Sequence, residues 1–372
     1  MKQQLIQLFE QIFNQKPQVY AQAPGRINLI GGHTDYNEGY TLPVAIDEYL
    51  YVLAANNTTS QAHSLDFNET VQLNNIIQNK WSAYVQGTIL QLPQIQPCNI
   101  LIKGEIPIAA GLSSSAALEV ATALALLKLN NISLTNDTIA KLCQKAENEF
   151  VNVNCGIMDQ YTIINSKKDH AMLLDCRTLQ YTHIPLPNVK IVVCNTTIKR
   201  ELAKSEYNTR RTQCAQAVTT LKQFLPNIET LRDVTSQQLQ QYQSHLPRTI
   251  RKRAEHVIEE NARTLQAAQA LKNNELNTFG LLMKQSHNSL QRKYDVSCTE
   301  LDALIDIVVE QEYTIGARMT GAGFGGCTVN IIKPQFVKQF IDNTYALYLE
   351  EFNTKLDIYV TDTSNAAFAE RI

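Results

Sequence analysis

Residues 104–119 read GEIPIAAGLSSSAALE, and this stretch restricts the fold more than any other. An extended segment ends at Pro107, Gly111 follows, and Ser113, Ser114 and Ser115 open a helix of small residues. The first N–H groups of a helix have no partner within it, and the helix dipole puts partial positive charge at the same end. The segment Gly111, Leu112, Ser113, Ser114, Ser115, Ala116 is therefore suited to an anion, and its small side chains let the backbone approach a polyphosphate. The three hydroxyls add donors or a metal ligand. A plain serine N-cap explains one serine, not three in succession. No G-x-x-x-x-G-K-[ST] and no H-R-D occur, so a nucleotide bound here would use neither a Walker loop nor a protein-kinase loop.

The chain of 372 residues is long enough for two domains, each with its own core. Its 33 basic and 35 acidic residues nearly cancel, which argues against a nucleic-acid partner. Eight cysteines form no C-x-x-C pair and fit no zinc spacing, as expected of reduced thiols in the cytoplasm. Leu5, Leu8, Phe9, Ile12 and Phe13 make the N-terminal segment an amphipathic helix rather than a signal peptide. The apolar run within 116–129 is broken by Glu119, Thr122 and Lys128, so no membrane role is expected.

Strands are expected at Val19–Ala23 before a Pro-Gly turn, at Tyr40–Ile46, Tyr49–Ala55, Ile100–Lys103, Ala171–Asp175 and Lys190–Cys194. Helices are expected from Ser115 to Leu129 and from Thr138 to Val151. Beyond residue 200 long amphipathic helices run to Leu271, followed by helices at His287–Leu290 and Leu301–Gln311 and strands near Ala317–Met319, Cys327–Ile332 and Leu356–Val360. The mixture fits an α+β architecture, with a boundary at 185–200 that divides the chain into 1–190 and 191–372.

Three further stretches concentrate chemistry. APGRINLIGGHTDYNEGYTLP at 23–43 brings together Arg26, His33, Asp35, Tyr36 and Asn37, residues suited to sugar hydroxyls and phosphate, although a polar hairpin would read the same way. ENEFVNVNCGIMDQ at 147–160 sets Asp159 in an apolar loop, either as a general base or as a cap for the next element. ARMTGAGFGGCTV at 317–329 contains G-x-G-x-x-G, but a strand follows where the dinucleotide fingerprint requires a helix, so an NAD site is rejected in favour of a glycine hairpin.

Taken together, these segments resemble the GHMP kinase superfamily and, within it, galactokinases. Gly25 to Asn37 is similar to G-R-x-N-L-I-G-E-H-T-D-Y-N with one exception, and 111–116, 155–160 and 320–326 match the phosphate loop, the catalytic segment and the third motif. KRELAKSEYNTRR at 199–211 and RKRAEHVIEEN at 251–261 also look like this family. The resemblance implies a two-domain GHMP fold with its active site in the interdomain cleft and transfer from ATP, with Mg²⁺, to the anomeric hydroxyl of a sugar. It implies Asp159 as catalytic carboxylate and Arg26 as charge stabiliser. His33, Asp35, Gly156 and Tyr207 would contact the sugar, and Ser115 and Glu149 would bind Mg²⁺. A monomer is expected.

The exception is Gly32, where the family pattern has Glu. The resemblance implies that this Glu accepts a hydrogen bond from the C6 hydroxyl, an interaction of about 1.5–3 kcal/mol. Galactose is the first expectation. Glycine would also remove repulsion towards galacturonate, and L-arabinose would not miss the Glu; N-acetylgalactosamine, altered at C2, is a further alternative. A non-catalytic sugar and ATP sensor on the same fold is the rival class, and the presence of both Arg26 and Asp159 argues against it.

Overall fold

A computed structural model describes residues 1–73, 80–107, 110–198 and 203–372. Residues 108–109 of the serine-rich segment and 199–202 of the KRELAKSEYNTRR stretch lie outside the described residues.

The strands are β1 (Val19–Asn28), β2 (Tyr40–Thr41), β3 (Pro43–Asn56), β4 (Gln61–Ser64), β5 (Glu69–Gln72), β6 (Cys98–Gly104), β7 (His170–Asp175), β8 (Tyr181–Pro185), β9 (Lys190–Asn195), β10 (Thr314–Thr320), β11 (Cys327–Ile332), β12 (Asp357–Thr361) and β13 (Phe368–Arg371). The helices are α1 (Lys2–Phe13), α2 (Trp81–Gln91), α3 (Ser114–Leu129), α4 (Asn136–Ala146), α5 (Met158–Asn165), α6 (Ala203–Leu221), α7 (Ser236–Tyr242), α8 (Arg248–Lys272), α9 (Leu276–Ser289), α10 (Thr299–Val309) and α11 (Val337–Phe352).

These elements build the α+β fold. The first sheet runs β13-β1-β3-β6-β4-β5, the second β10-β11-β9-β12, and β2-β7-β8 form a third. Helix α3 packs on β1 and β3. Its alanines, leucines and Val120 are buried almost all round, as expected of a helix inside a core. A second core, helical in character, joins α6 and α8 to the segment around Leu290–Val296. A third lies between the second sheet, α10 and α11.

Two expectations need correction here. The Pro24-Gly25 step is not a turn: β1 continues through it, and the register against β3 slips from Pro24↔Tyr49 to Gly25↔Ile46, so Asp47 and Glu48 form a bulge. For the same reason the strands expected at 40–46 and 49–55 form mostly one strand, β3. Past Gln22, β1 no longer pairs with β13, and the Arg26 N–H instead donates to the Leu112 carbonyl at 3.1 Å. The bulge thus hands the second half of the strand to the serine-rich segment. Strand β13 joins β1, so the first sheet takes a strand from beyond residue 190.

Candidate active site

The bend into α3 brings Ser113 to φ +60°, a left-handed conformation, and its side chain does not cap the helix. Its hydroxyl donates instead to Asp159 Oδ2 at 2.5 Å. The first N–H groups of α3 are thereby left without a side-chain cap, and with Ser114 and Ser115 partly exposed they form an open anion seat. Leu112 and Ala116 are buried, so only their backbone faces that seat.

Asp159 is not in a loop, as its sequence suggested, but lies in the first turn of α5. Arg26 grips its carboxylate side-on, Nε to Oδ1 at 2.7 Å and Nη2 to Oδ2 at 2.5 Å. Nη1 donates to the Gly111 carbonyl at 2.9 Å. Oδ2 thus has two donors and Oδ1 one. A carboxylate oxygen has two lone-pair sites, so Oδ1 can accept one more hydrogen bond, and the side chain keeps 24 % exposure through which to do so.

The expected pairing of Ser115 with Glu149 is not found. Glu149 is 53 % exposed and sits beside Lys145 and Gln91. Two residues apart on a helix point to opposite faces, and it is Glu147, in a wider π-type turn after α4, that faces inward. Ser115 Oγ donates to Glu147 Oε1 at 3.4 Å. Gln160 Nε2 bridges Glu147 Oε2 at 2.8 Å and Glu119 Oε2 at 2.9 Å. Burial, reinforced by Asp159, pushes the Glu147 carboxyl up to about 7. Burial, reinforced by Glu147, raises Glu119 well above the usual range. Glu119 Oε1 is buried without a partner among the described residues. These hard oxygen donors suit Mg²⁺. No cluster of three or more metal-ligating side chains occurs among the described residues, so phosphate oxygens would have to complete the shell.

His33, Asp35, Gly156 and Tyr207 do converge. Together with Arg26 and Asp159 they line one cavity of about 210 Å³. A Cβ at Gly156 would collide with the Asp35 carboxylate. Burial, then the Asp159 charge, pushes the Asp35 carboxyl up to about 6. His33 Nδ1 meets the Tyr36 hydroxyl at 2.9 Å, and that hydroxyl meets Tyr294 at 2.6 Å. Burial, with His256 and Arg318, lowers the His33 imidazole to about 3 against a small opposing pull from the Ala322 backbone, so the ring is neutral at pH 7. Its Nε2 has no hydrogen-bond partner among the described residues. The Tyr207 ring lies 5.7 Å from His33 and 5.3 Å from Tyr36.

The sequence reading missed the support beneath this loop. Glu260 on α8 accepts from the N–H groups of Gly31 and Gly32, each at 3.1 Å, and His256 Nε2 lies 3.0 Å from the Gly32 carbonyl. Arg318 on β10 lines the cavity beside Gly32. Glu260 and His256 lie inside a stretch picked out by resemblance and Arg318 inside the glycine-rich segment 317–329, but nothing in their spacing marked them individually. The glycine loop after β10 is a hairpin into β11, as expected.

Comparisons with known proteins follow this geometry. Three family models match: the galactokinase galactose-binding signature over residues 7–56, the GHMP kinases N terminal domain over 75–167 and the GHMP kinases C terminal over 267–346. A galactokinase of Roseiflexus sp. is 42 % identical, with 97 % of this chain and 95 % of that one covered. A galactokinase of Clostridium acetobutylicum is 40 % identical, with 96 % of each covered. Among solved structures, the Lactococcus lactis galactokinase complexed with galactose superposes with a TM-score of 0.94 at 34 % identity over 98 % of both chains. The Methanococcus jannaschii mevalonate kinase shares the fold at a TM-score of 0.63 and 22 % identity, over 94 % of this chain and 99 % of that one.

Proposed function

Because this chain belongs to the galactokinase family of GHMP kinases, we propose that it moves the γ-phosphate of ATP onto the anomeric hydroxyl of galactose, giving α-galactose 1-phosphate and ADP. One observation carries the reading: a single carboxylate, Asp159, is bonded to Arg26 and to Ser113 at the start of α3, where the sugar cavity meets the anion seat.

Phosphoryl transfer is mainly positioning and charge stabilisation. His33, Asp35, Gly156 and Tyr207 hold the sugar so that its C1 hydroxyl reaches Asp159 Oδ1. Asp159 orients that hydroxyl and takes its proton as the anomeric oxygen bonds to phosphorus and the bond to the β–γ bridging oxygen breaks. Arg26 keeps Asp159 in place and lends charge to the moving phosphoryl. Backbone N–H groups of Gly111 to Ala116 and the Ser114 hydroxyl hold the phosphates. Ser115 and Glu147 would hold Mg²⁺, which when bound neutralises phosphate charge.

Residues 1–190 form the N-terminal domain in this proposal and 191–372 the C-terminal one, with β13 returned to the first sheet. The protein works as a monomer in the cytoplasm; eight free cysteines support that compartment. No helix among the described residues is long and apolar enough to cross a membrane.

Initial rates with ATP·Mg²⁺ on galactose, galacturonate, N-acetylgalactosamine and L-arabinose test the proposal. Galactose is expected to give the highest kcat/KM, with the 1-phosphate as product by phosphorus NMR. A higher value for another sugar overturns galactose as first acceptor, and sugar binding without ADP release from any of them favours the sensor.

A further inference from the structure

The neighbours of His33 determine which of its ring nitrogens carries hydrogen. The ring is neutral at pH 7, so one nitrogen is a donor and the other an acceptor. Nδ1 stands at the head of a relay. It meets the Tyr36 hydroxyl at 2.9 Å, Tyr36 meets the Tyr294 hydroxyl at 2.6 Å, and Tyr294 meets Cys214 Sγ, on α6, at 3.1 Å. Each tyrosine has a single hydroxyl hydrogen, so when every link is made all of them run in one direction. That direction sets the tautomer of His33. If hydrogens are donated from Cys214 towards His33, Nδ1 accepts and Nε2 carries the ring hydrogen; in the reverse direction Nδ1 carries it.

Both ends of the relay favour the first direction. Asn37 Nδ2 donates to the His33 carbonyl at 3.0 Å, which fixes the orientation of the amide, and to Cys214 Sγ at 3.7 Å. The sulfur thus already accepts, and its hydrogen has no acceptor but Tyr294 among the described residues. Donation from Tyr294 to Cys214 would leave that hydrogen unpaired in the core. At the other end, the Ala322 backbone, in the hairpin between β10 and β11, favours a protonated ring, as a carbonyl does and an N–H does not. Nδ1 is committed to Tyr36, so Nε2 is left to face this carbonyl, although the two do not reach hydrogen-bond geometry. A bare Nε2 would set two lone pairs against each other.

His256 provides an internal reference. The Tyr294 ring lies 4.8 Å from the His33 ring and 4.5 Å from that of His256. His256 Nε2 is 3.0 Å from the Gly32 carbonyl, which can only accept, and Nδ1 is 2.9 Å from the Ser289 hydroxyl. His256 is therefore protonated at Nε2 without any help from Tyr294.

We infer that Cys214 and Tyr294, acting through Tyr36, are positioning residues that hold His33 as its Nε2–H tautomer, with that hydrogen turned towards the glycine hairpin at Ala322. His33 and Ala322 line the acceptor cavity together with Asp159, so a donor fixed between sugar loop and hairpin shapes the wall that receives a sugar. That role rests on the 1-kinase reading; the tautomer does not.

Proton–nitrogen correlation spectra of the full chain, labelled at histidine and recorded at neutral pH, provide the test, with His33→Gln assigning the His33 signals. The wild type is expected to show His33 protonated at Nε2 and bare at Nδ1, as His256 is. A protonated Nδ1 in His33 overturns the inference. Tyr294→Phe keeps the ring but removes the relay hydroxyl, and a second His33 tautomer is expected there while His256 stays as it was; an unchanged His33 overturns the relay. Cys214→Ser retains both a donor and an acceptor and is expected to keep the wild-type tautomer, whereas Cys214→Ala is expected to mix it. Identical His33 signals in those two variants overturn the part given to Cys214, and the pair decides the relay if Tyr294→Phe does not fold. In steady-state kinetics Tyr294→Phe is expected to raise the galactose KM about fivefold with the ATP KM within about twofold. A fall in kcat with both KM values unchanged overturns the positioning role. If the wild type does not phosphorylate galactose, the 1-kinase reading fails and the spectra still decide the tautomer.

Discussion

The two walls of the acceptor cavity are finished to different degrees. Around Asp159 the charges are paired: Arg26 holds it with two nitrogens and Ser113 supplies a third bond. On the opposite wall His33 Nε2, Arg318 Nε and Asn28 Oδ1 are buried without partners among the described residues. Groups that act on a developing charge need to be fixed beforehand, because reorganisation during the reaction adds to the barrier. Groups that recognise a substrate can remain unsatisfied until it arrives, and that cost gives selectivity, since a ligand unable to pair them is rejected. On the proposed mechanism, the contrast separates a wall for rate from a wall for choice.

The sharpest way to break this division is Asp159→Asn. If the reactive wall governs rate alone, kcat falls about a thousandfold or more while sugar and ATP affinities, read by calorimetry, stay within a few-fold. Substantial residual turnover, or lost sugar affinity at full rate, would place Asp159 on the wrong side of the comparison. Next in size is the pair Glu147→Gln and Glu149→Gln. The first is expected to raise the Mg²⁺ concentration for half-maximal rate about tenfold or more. The second, on an exposed side chain, should stay within about twofold. Equal effects would return the metal to the original expectation.

The smallest effect concerns pH. Glu147 and Glu119 titrate above their usual range because they are buried beside acidic neighbours. A raised carboxyl stabilises the fold while protonated and loses that contribution as pH rises through its folded value. His33 and His256, lowered to about 3 and about 4 chiefly by burial, are neutral in both folded and unfolded states above their ordinary range. The Glu147 contribution is therefore lost between its ordinary value and about pH 7, and over that interval the Tm of the unliganded wild type should fall by a few degrees relative to that of Glu147→Gln. A wild-type Tm that rises relative to the variant over that interval would sink the account of the acidic cluster.

Much of the cavity lining was legible in the sequence, because Arg26, His33, Asp35, Gly156 and Asp159 lie in short contiguous motifs. The errors have local physical causes. Glu147 and Glu149 differ only in which face of a turn they take, and the wider turn that settles it leaves no mark in composition. Pro24-Gly25 has the composition of a turn but is absorbed as a bulge, because β3 supplies two extra residues opposite it. Helix α11 was not anticipated, although Phe340, Thr344 and Tyr348, buried at four-residue spacing, carried its signal. The selective wall was the least legible. Arg318 lies in a strand next to a glycine motif, and its place beside Gly32 depends on pairing across nearly three hundred residues.

Glu260 closing on the amides of Gly31 and Gly32 spans 229 positions of chain. A contact of such long range forms only after a large loop-closure entropy has been met, so it belongs among the late events of folding. Strands β1, β3 and β6, which pair over far shorter separations, can gather while the sugar loop still wanders, and competence to bind arrives when α8 docks. A refolding experiment should therefore recover secondary structure ahead of ligand affinity, with the delay set by a helix that need never touch the sugar.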